Sequence, residues 1–124
     1  MATVVLVDAA AMRRALRESL VSEPGVRVAG EAGSLDRGLR LAERLRPDLV
    51  LLDAEMADVD PSAAIRAFRQ QAPSSALVVV TIEPDRLARL VQEVGGVDVV
   101  GKVDGPTALL AAVRRVARRA SAPG

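Results

Sequence analysis

Five times along this chain a short run of β-branched residues and leucine is followed by a stretch with helical spacing. The apolar runs are residues 4–7, 26–29, 49–52, 77–80 and 97–100. Most are continuous rather than alternating, the pattern of strands covered by helices on both faces of a parallel sheet. Between them Met12, Leu16 and Leu20 lie four apart, and Leu35, Leu39, Ala42 and Leu45 form a second stripe that starts near Ser34 or Asp36. Asp60 followed by Pro61 has the form of an N-cap and first-turn proline, which predicts a helix over 62–71. Pro84 opens a predicted helix over 85–94 that stops at Gly95-Gly96. Gly105-Pro106-Thr107 opens the last helix, with Leu109, Val113, Val116 and Ala120 inward. Strand–helix alternation at this spacing calls for right-handed crossovers. The predicted fold is α/β: a flavodoxin-like (βα)5 three-layer sandwich whose parallel strands run in the order 2-1-3-4-5. One domain is expected over 1–120, with 121–124 a disordered tail or linker stub.

Ligands of an open α/β sheet bind beyond the carboxyl ends of its strands, near the switch in strand order. The first strand ends at Asp8, the third at Asp53, the fourth at Thr81, and the fifth runs to Lys102. Strands 1, 3, 4 and 5 are neighbours in the predicted order, so these four side chains converge on one edge. Two carboxylates, a hydroxyl and an ammonium suit a divalent cation and a phosphoryl group. Composition narrows the chemistry further. The chain has no His, Cys, Trp or Tyr, and Phe68 is its single aromatic residue. Thiol and imidazole nucleophiles, Cys/His zinc sites, disulfides and stacking platforms for a base or flavin are therefore excluded. The turn Asp8-Ala9-Ala10-Ala11 lacks the glycines of a dinucleotide loop. A net charge of +1 gives no general case for nucleic-acid binding. No apolar stretch approaches the roughly 20 residues needed to span a bilayer, and no basic leader precedes the first apolar run, so a cytoplasmic protein without membrane contact is expected.

In this frame the sequence resembles the receiver domain of two-component response regulators. The resemblance is carried by residues 26–32 (VRVAGEA), by 46–53 (RPDLVLLD) with Met56, by Val80-Thr81, and by Lys102-Val103-Asp104. Each is weak alone; in order and at family spacing they are strong. The nearest subgroup looks like the one whose members carry a C-terminal helix-turn-helix. The resemblance implies a CheY-like signalling module rather than an enzyme. Asp53 would accept a phosphoryl group from a histidine kinase, and Thr81 and Lys102 would hold the phosphoryl oxygens. Mg²⁺ would bind Asp8, Asp53 and the backbone carbonyl of Glu55. DNA would be reached only through an output domain outside this sequence.

Several positions depart from the family pattern. The family has two adjacent acids after the first strand, and this chain has one. The gap-free alignment, which we prefer, makes Asp8 the second acid and Val7 the missing first. A one-residue slip makes Asp8 the first and Ala9 the missing second. Either way a carboxylate is lost, and Mg²⁺ binding is expected to be weak. Ile82 stands where a small residue follows the hydroxyl, Ala57 where a proline follows Met56, Pro61 where a glycine opens the third helix, and Val99 where a switch aromatic stands. The alternative reading is a pseudo-receiver that works as a dimerisation or protein-interaction module without phosphorylation. Glu55 and Glu83 flank the acceptor and hydroxyl positions, and read equally well as solvated loop carboxylates. Arg114, Arg115, Arg118 and Arg119 make a basic face on the last helix. It reads first as a solvated face, and second as a homodimer or partner surface.

Overall fold

A computed structural model of the chain describes residues 1–56 and 60–121. The strands are β1 (Ala2–Val7), β2 (Val26–Ala32), β3 (Leu49–Asp53), β4 (Ala76–Thr81) and β5 (Val97–Gly101). They alternate with α1 (Ala10–Val21), α2 (Leu35–Leu45), α3 (Pro61–Gln71), α4 (Pro84–Leu90) and α5 (Gly105–Ser121), the last entered through a 3₁₀ turn at Lys102–Asp104. All pairings are parallel and the sheet order is β2-β1-β3-β4-β5. The predicted flavodoxin-like (βα)5 fold is the observed one.

Strand alternation divides the core into two layers. Val4 and Leu6 of β1, with Leu49 and Leu51 of β3, pack beneath Leu20 of α1 and Ala112, Val113 and Val116 of α5. Val5, Val7, Val50 and Leu52 point the other way, against Ala42 of α2, Ile65 and Phe68 of α3 and Leu87 of α4. Asp8 and Asp53 continue the parity of the first set past the ends of their strands, on the α1/α5 side. Val7 is fully buried in the opposite layer, where a Cβ on Gly38 would lie 2.8 Å from its Cγ2 and 3.3 Å from Phe68 Cζ. Helix α2 can approach β1 this closely because Gly38 has no side chain. The lone aromatic ring is thus a core element beneath α2.

Local signals set the helix starts. Ser34 caps α2, its hydroxyl accepting from the Arg37 N–H at 3.3 Å; Asp60 caps α3 ahead of Pro61. At the amino end of the sheet Asp48 of the Arg-Pro-Asp run accepts from the Thr3 backbone N–H at 2.8 Å, and the buried Ser75 hydroxyl donates to the Pro47 carbonyl at 2.5 Å. These groups tie β1, β3 and the turn before β4 together, far from the functional edge.

Three details differ from the sequence-based expectations. Helix α4 stops at Leu90 instead of reaching residue 94, because Val91 leaves helical geometry and turns carry Val91 and Val94 onto the core. Gly96 then adopts a positive φ of 75° and its carbonyl accepts from the Leu77 N–H. Ala120 is exposed rather than inward, Met12 is half exposed near the start of α1, and Leu45 keeps 40% of its surface exposed while its Cδ1 packs over Gly30 of β2. Helix α5 includes Ser121, one residue into the expected tail. The remainder of that tail, 122–124, and Ala57 lie outside the described residues.

Candidate functional site

Asp8, Asp53, Thr81 and Lys102 do meet at the carboxyl edge. Asp53 ends β3 between β1 and β4. Its Oδ1 accepts from the Lys102 ammonium at 2.9 Å and from the Glu55 backbone N–H at 2.8 Å. Asp8 is buried, 7% exposed, and its Oδ1 accepts from the Ala9 N–H at 2.7 Å. The Asp8 and Asp53 carboxyl groups are close enough that the ionisation of each shifts that of the other. Val7 faces the core and Ala9 is exposed at the N-cap of α1, so Asp8 is the one side chain of residues 7–9 turned to Asp53. Arg13 fixes this corner by donating from Nε to the Asp8 carbonyl at 3.0 Å.

The two acids are electrostatically unlike. Burial pushes the Asp8 carboxyl up to about 6, and the neighbouring Asp53 adds to the rise against the Ala9 N–H and Lys102. Burial also opposes ionisation of Asp53, but hydrogen bonds from Lys102, Glu55 N–H and Asp8 outweigh it and hold this carboxyl below its ordinary range. Partial burial works against the charge of Lys102, yet the Glu55 and Asp53 carboxylates beside it raise its pKa. At neutral pH Asp53 is an ionised, oriented carboxylate beside a cation, the form a nucleophile requires.

Thr81 is buried, 2% exposed. Its hydroxyl accepts from the Glu83 N–H at 3.1 Å and donates to the Glu55 carboxylate at 2.7 Å. The Glu55 carboxylate also accepts from Lys102 Nζ at 2.9 Å and from the Ile82 N–H at 3.0 Å. Sequence reasoning placed only the Glu55 backbone carbonyl in the site and left its side chain undecided. No periodicity reaches this residue, because it lies beyond the end of β3, where the loop sets side-chain direction.

The positions that depart from the family pattern have definite places. Val99 of β5 pairs with Val79 and packs against the α2–α4 layer, while Ile82 is 66% exposed at the rim. Asp8, Asp53 and Lys102 also line a largely apolar groove of ≈ 420 Å³ that opens between Met12 and Leu16 of α1 and Pro106 and Leu109 of α5. On α5, Arg114 pairs with Glu23 and Arg115 with Asp98 at 3.1 Å, all through exposed arginines.

The family model for the response regulator receiver domain matches residues 4–114. The chain belongs to the response regulator receiver family. Among curated relatives it is 36% identical over 99 residues to protein-glutamate methylesterase/protein-glutamine glutaminase 3 of Geobacter sulfurreducens, covering 80% of this chain and 27% of that protein. It is 34% identical over 86 residues to the uncharacterized transcriptional regulatory protein YhcZ of Bacillus subtilis, covering 69% of this chain and 40% of that protein. The receiver therefore spans well under half the length of these relatives. Among solved structures, a LuxR-family two-component response regulator from Aurantimonas superposes with a TM-score of 0.84 at 25% identity, over 94% of this chain and 85% of that one. The response regulator domain of Thermotoga maritima CheB superposes with a TM-score of 0.80 at 24% identity, over 95% and 97%, and shares the fold.

Receiver domains accept phosphoryl groups from histidine kinases and typically bind Mg²⁺ beside the acceptor. The donor set of this receiver fits such an ion. Two carboxylates crowd together at one corner with a hard-oxygen character, and Mg²⁺ needs only one or two carboxylates because it retains several waters. Among the described residues no group of three or more Asp, Glu, His or Cys forms a denser metal cage. Among the same residues no helix is long and apolar enough to cross a membrane.

Proposed function

We propose that residues 1–120 act as a phosphoacceptor unit, with Asp53 taking a phosphoryl group from a histidine kinase and a changed surface passing the signal to an output domain or partner. The observation that carries this reading is the ionised Asp53 carboxylate held between Lys102 Nζ and the Glu55 N–H, both within 2.9 Å of the same oxygen. A carboxylate oxygen attacks the phosphorus of phosphohistidine in line. The P–O bond forms as the P–N bond breaks, and the departing imidazole nitrogen takes up a proton. The product is an acyl phosphate on Asp53. These 124 residues contain no histidine, so the phosphohistidine lies outside them.

Positioning and charge neutralisation supply most of the catalysis in such transfers. Lys102 balances charge gathering on the phosphoryl oxygens, and Thr81 offers them a hydroxyl donor. Asp8, Asp53 and the Glu55 carbonyl would hold Mg²⁺, which when bound neutralises phosphoryl charge. With one acid fewer than the family pattern, we expect that binding to be weak.

The decisive experiment incubates the protein with Mg²⁺ and acetyl phosphate and follows intact mass. A single phosphoryl adduct that disappears in Asp53→Asn supports the reading. The absence of an adduct at millimolar Mg²⁺ would sink it.

The second reading, a phosphorylation-independent interaction or dimerisation module acting through α5, draws support from Val99. A half-buried valine packed against the core has no ring to swing between exposed and buried positions. Sedimentation at several protein concentrations after treatment with Mg²⁺ and acetyl phosphate, with Asp53→Asn alongside, separates the two. Association that is identical in both proteins favours the module.

A further inference from the structure

The side chain of Glu55 sits where the proposed chemistry needs an anion. Its two oxygens satisfy three donors at once: the Thr81 hydroxyl at 2.7 Å, the Ile82 N–H at 3.0 Å and Lys102 Nζ at 2.9 Å. These donors come from the end of β4, the loop after it and the residue after β5. They share no sequence neighbourhood with Glu55, which is 26 positions from Thr81. Lys102 spans from this carboxylate to Asp53 Oδ1, also at 2.9 Å, so the donor cluster lies directly beside the acceptor oxygen. Thr81 is drawn inward and pinned from behind by the Glu83 N–H at 3.1 Å. Glu55 itself is exposed enough to leave, since 29% of its side chain is open to solvent and this polar cradle holds the rest.

We infer that the Glu55 carboxylate is the resident occupant of the cradle that would hold phosphoryl oxygens on Asp53, an internal anion that must be displaced before an external one can bind. The inference rests on the acceptor reading of Asp53 for its consequence, and on the three contacts for the occupancy itself. A carboxylate and a phosphoryl group offer the same feature to these donors, a planar or pyramidal set of charged oxygens that accept charge-assisted hydrogen bonds. Only one can be there. Occupancy by Glu55 lowers apparent affinity for the incoming anion by the fraction of time the cradle is closed. It also keeps Thr81 and Lys102 engaged in the unmodified protein, so phosphorylation changes their partner more than their position. With Val99 in place of a ring, this exchange of anions is the change available at the site.

Fluoroberyllate with saturating Mg²⁺ is the probe, read through the ¹H–¹⁵N resonance of Ile82 in wild type, Glu55→Gln and Glu55→Ala. Without probe or metal, the Ile82 amide proton of the wild type is expected downfield, and Glu55→Ala is expected to return it toward the ordinary range. With probe, Glu55→Ala is expected to bind on the order of tenfold more tightly than wild type, with Glu55→Gln between them. Equal affinity in wild type and Glu55→Ala overturns the inference, as does an Ile82 amide unmoved by Glu55→Ala. If none of the proteins takes up the probe and none is modified at Asp53, the acceptor reading fails. The occupancy is then decided by the probe-free amide alone: a shift on Glu55→Ala upholds it and an unmoved resonance overturns it. Matching circular dichroism melts show that the variants are folded.

Discussion

Replacing Asp8 by asparagine should stabilise this protein at alkaline pH, although the substitution removes a charge from the functional edge. The Asp8 carboxyl titrates at about 6 against an ordinary value of 3.8, chiefly because it is buried and secondly because it faces Asp53. Between those two values the folded protein keeps a proton that the unfolded chain has released. Wild-type stability therefore falls as pH rises through this window, and the whole cost is present above it. At 1.36 kcal/mol per tenfold change in proton affinity the cost is capped at about 3 kcal/mol. Asp8 and Asp53 titrate as a pair beside Lys102, so we expect about 1–2 kcal/mol to be recovered. An asparagine side chain fits the same place: its Oδ1 can accept from the Ala9 N–H, and its uncharged amide sits beside Asp53 without a second negative charge. The depressed Asp53 carboxyl adds stability at neutral pH that is lost as pH falls below its ordinary value, and it does so in both proteins. Urea unfolding in EDTA at pH 8 and pH 4 measures the difference. Asp8→Asn should gain about 1–2 kcal/mol at pH 8, or roughly 5 °C in Tm. The gain should shrink to about 0.5 kcal/mol at pH 4. A loss at pH 8, or the same difference at both values, refutes the assignment of the cost to the charged form of Asp8.

Three further outcomes follow from the packing and the site. Gly38→Ala improves helix propensity, yet its Cβ would meet Val7 Cγ2 at 2.8 Å, so calorimetry should show a net loss of about 1–3 kcal/mol; a gain would mean that α2 is free to move away from β1. Ser75→Ala removes a buried donor to the Pro47 carbonyl and should cost about 1–3 kcal/mol in urea unfolding without altering chemistry at Asp53. Lys102→Ala removes the cation that holds Asp53 ionised; the Asp53 pKa, followed by carboxyl ¹³C NMR, should rise, and acyl phosphate formation should slow by about a hundredfold or more.

Much of the architecture was legible in order and spacing. Continuous apolar runs alternating with helical stripes required a parallel sheet covered on both faces, and the residues ending four of its strands could be brought to one edge without coordinates. The cap at Asp60 was read at the right place because it acts within a few residues, while the start of α2, left open between Ser34 and Asp36, falls at Ser34. The errors cluster where a neighbour in space overrules local preference. Periodicity put Ala120 inward, but it has no knowledge of where the core beneath α5 ends. Gly95-Gly96 marked a stop for α4, but the need to land Val91 and Val94 on the core ended it sooner.

The sequence by itself determined the kinds of group at the functional edge and excluded those it lacks. It supplied two acids, a hydroxyl and an ammonium, with no imidazole, thiol or switch ring. Strand parity, a property of the backbone repeat, also determined that Asp8 and Asp53 would project to the same side. Only the tertiary structure decided how these groups act on one another. The elevated Asp8 carboxyl, the ionised Asp53 and the placement of the Glu55 side chain among Thr81, Ile82 and Lys102 depend on desolvation and on distances between residues far apart in the chain. Charge interactions vary with separation and with the solvent removed from between the groups, and both are fixed only when the strands have closed into a sheet.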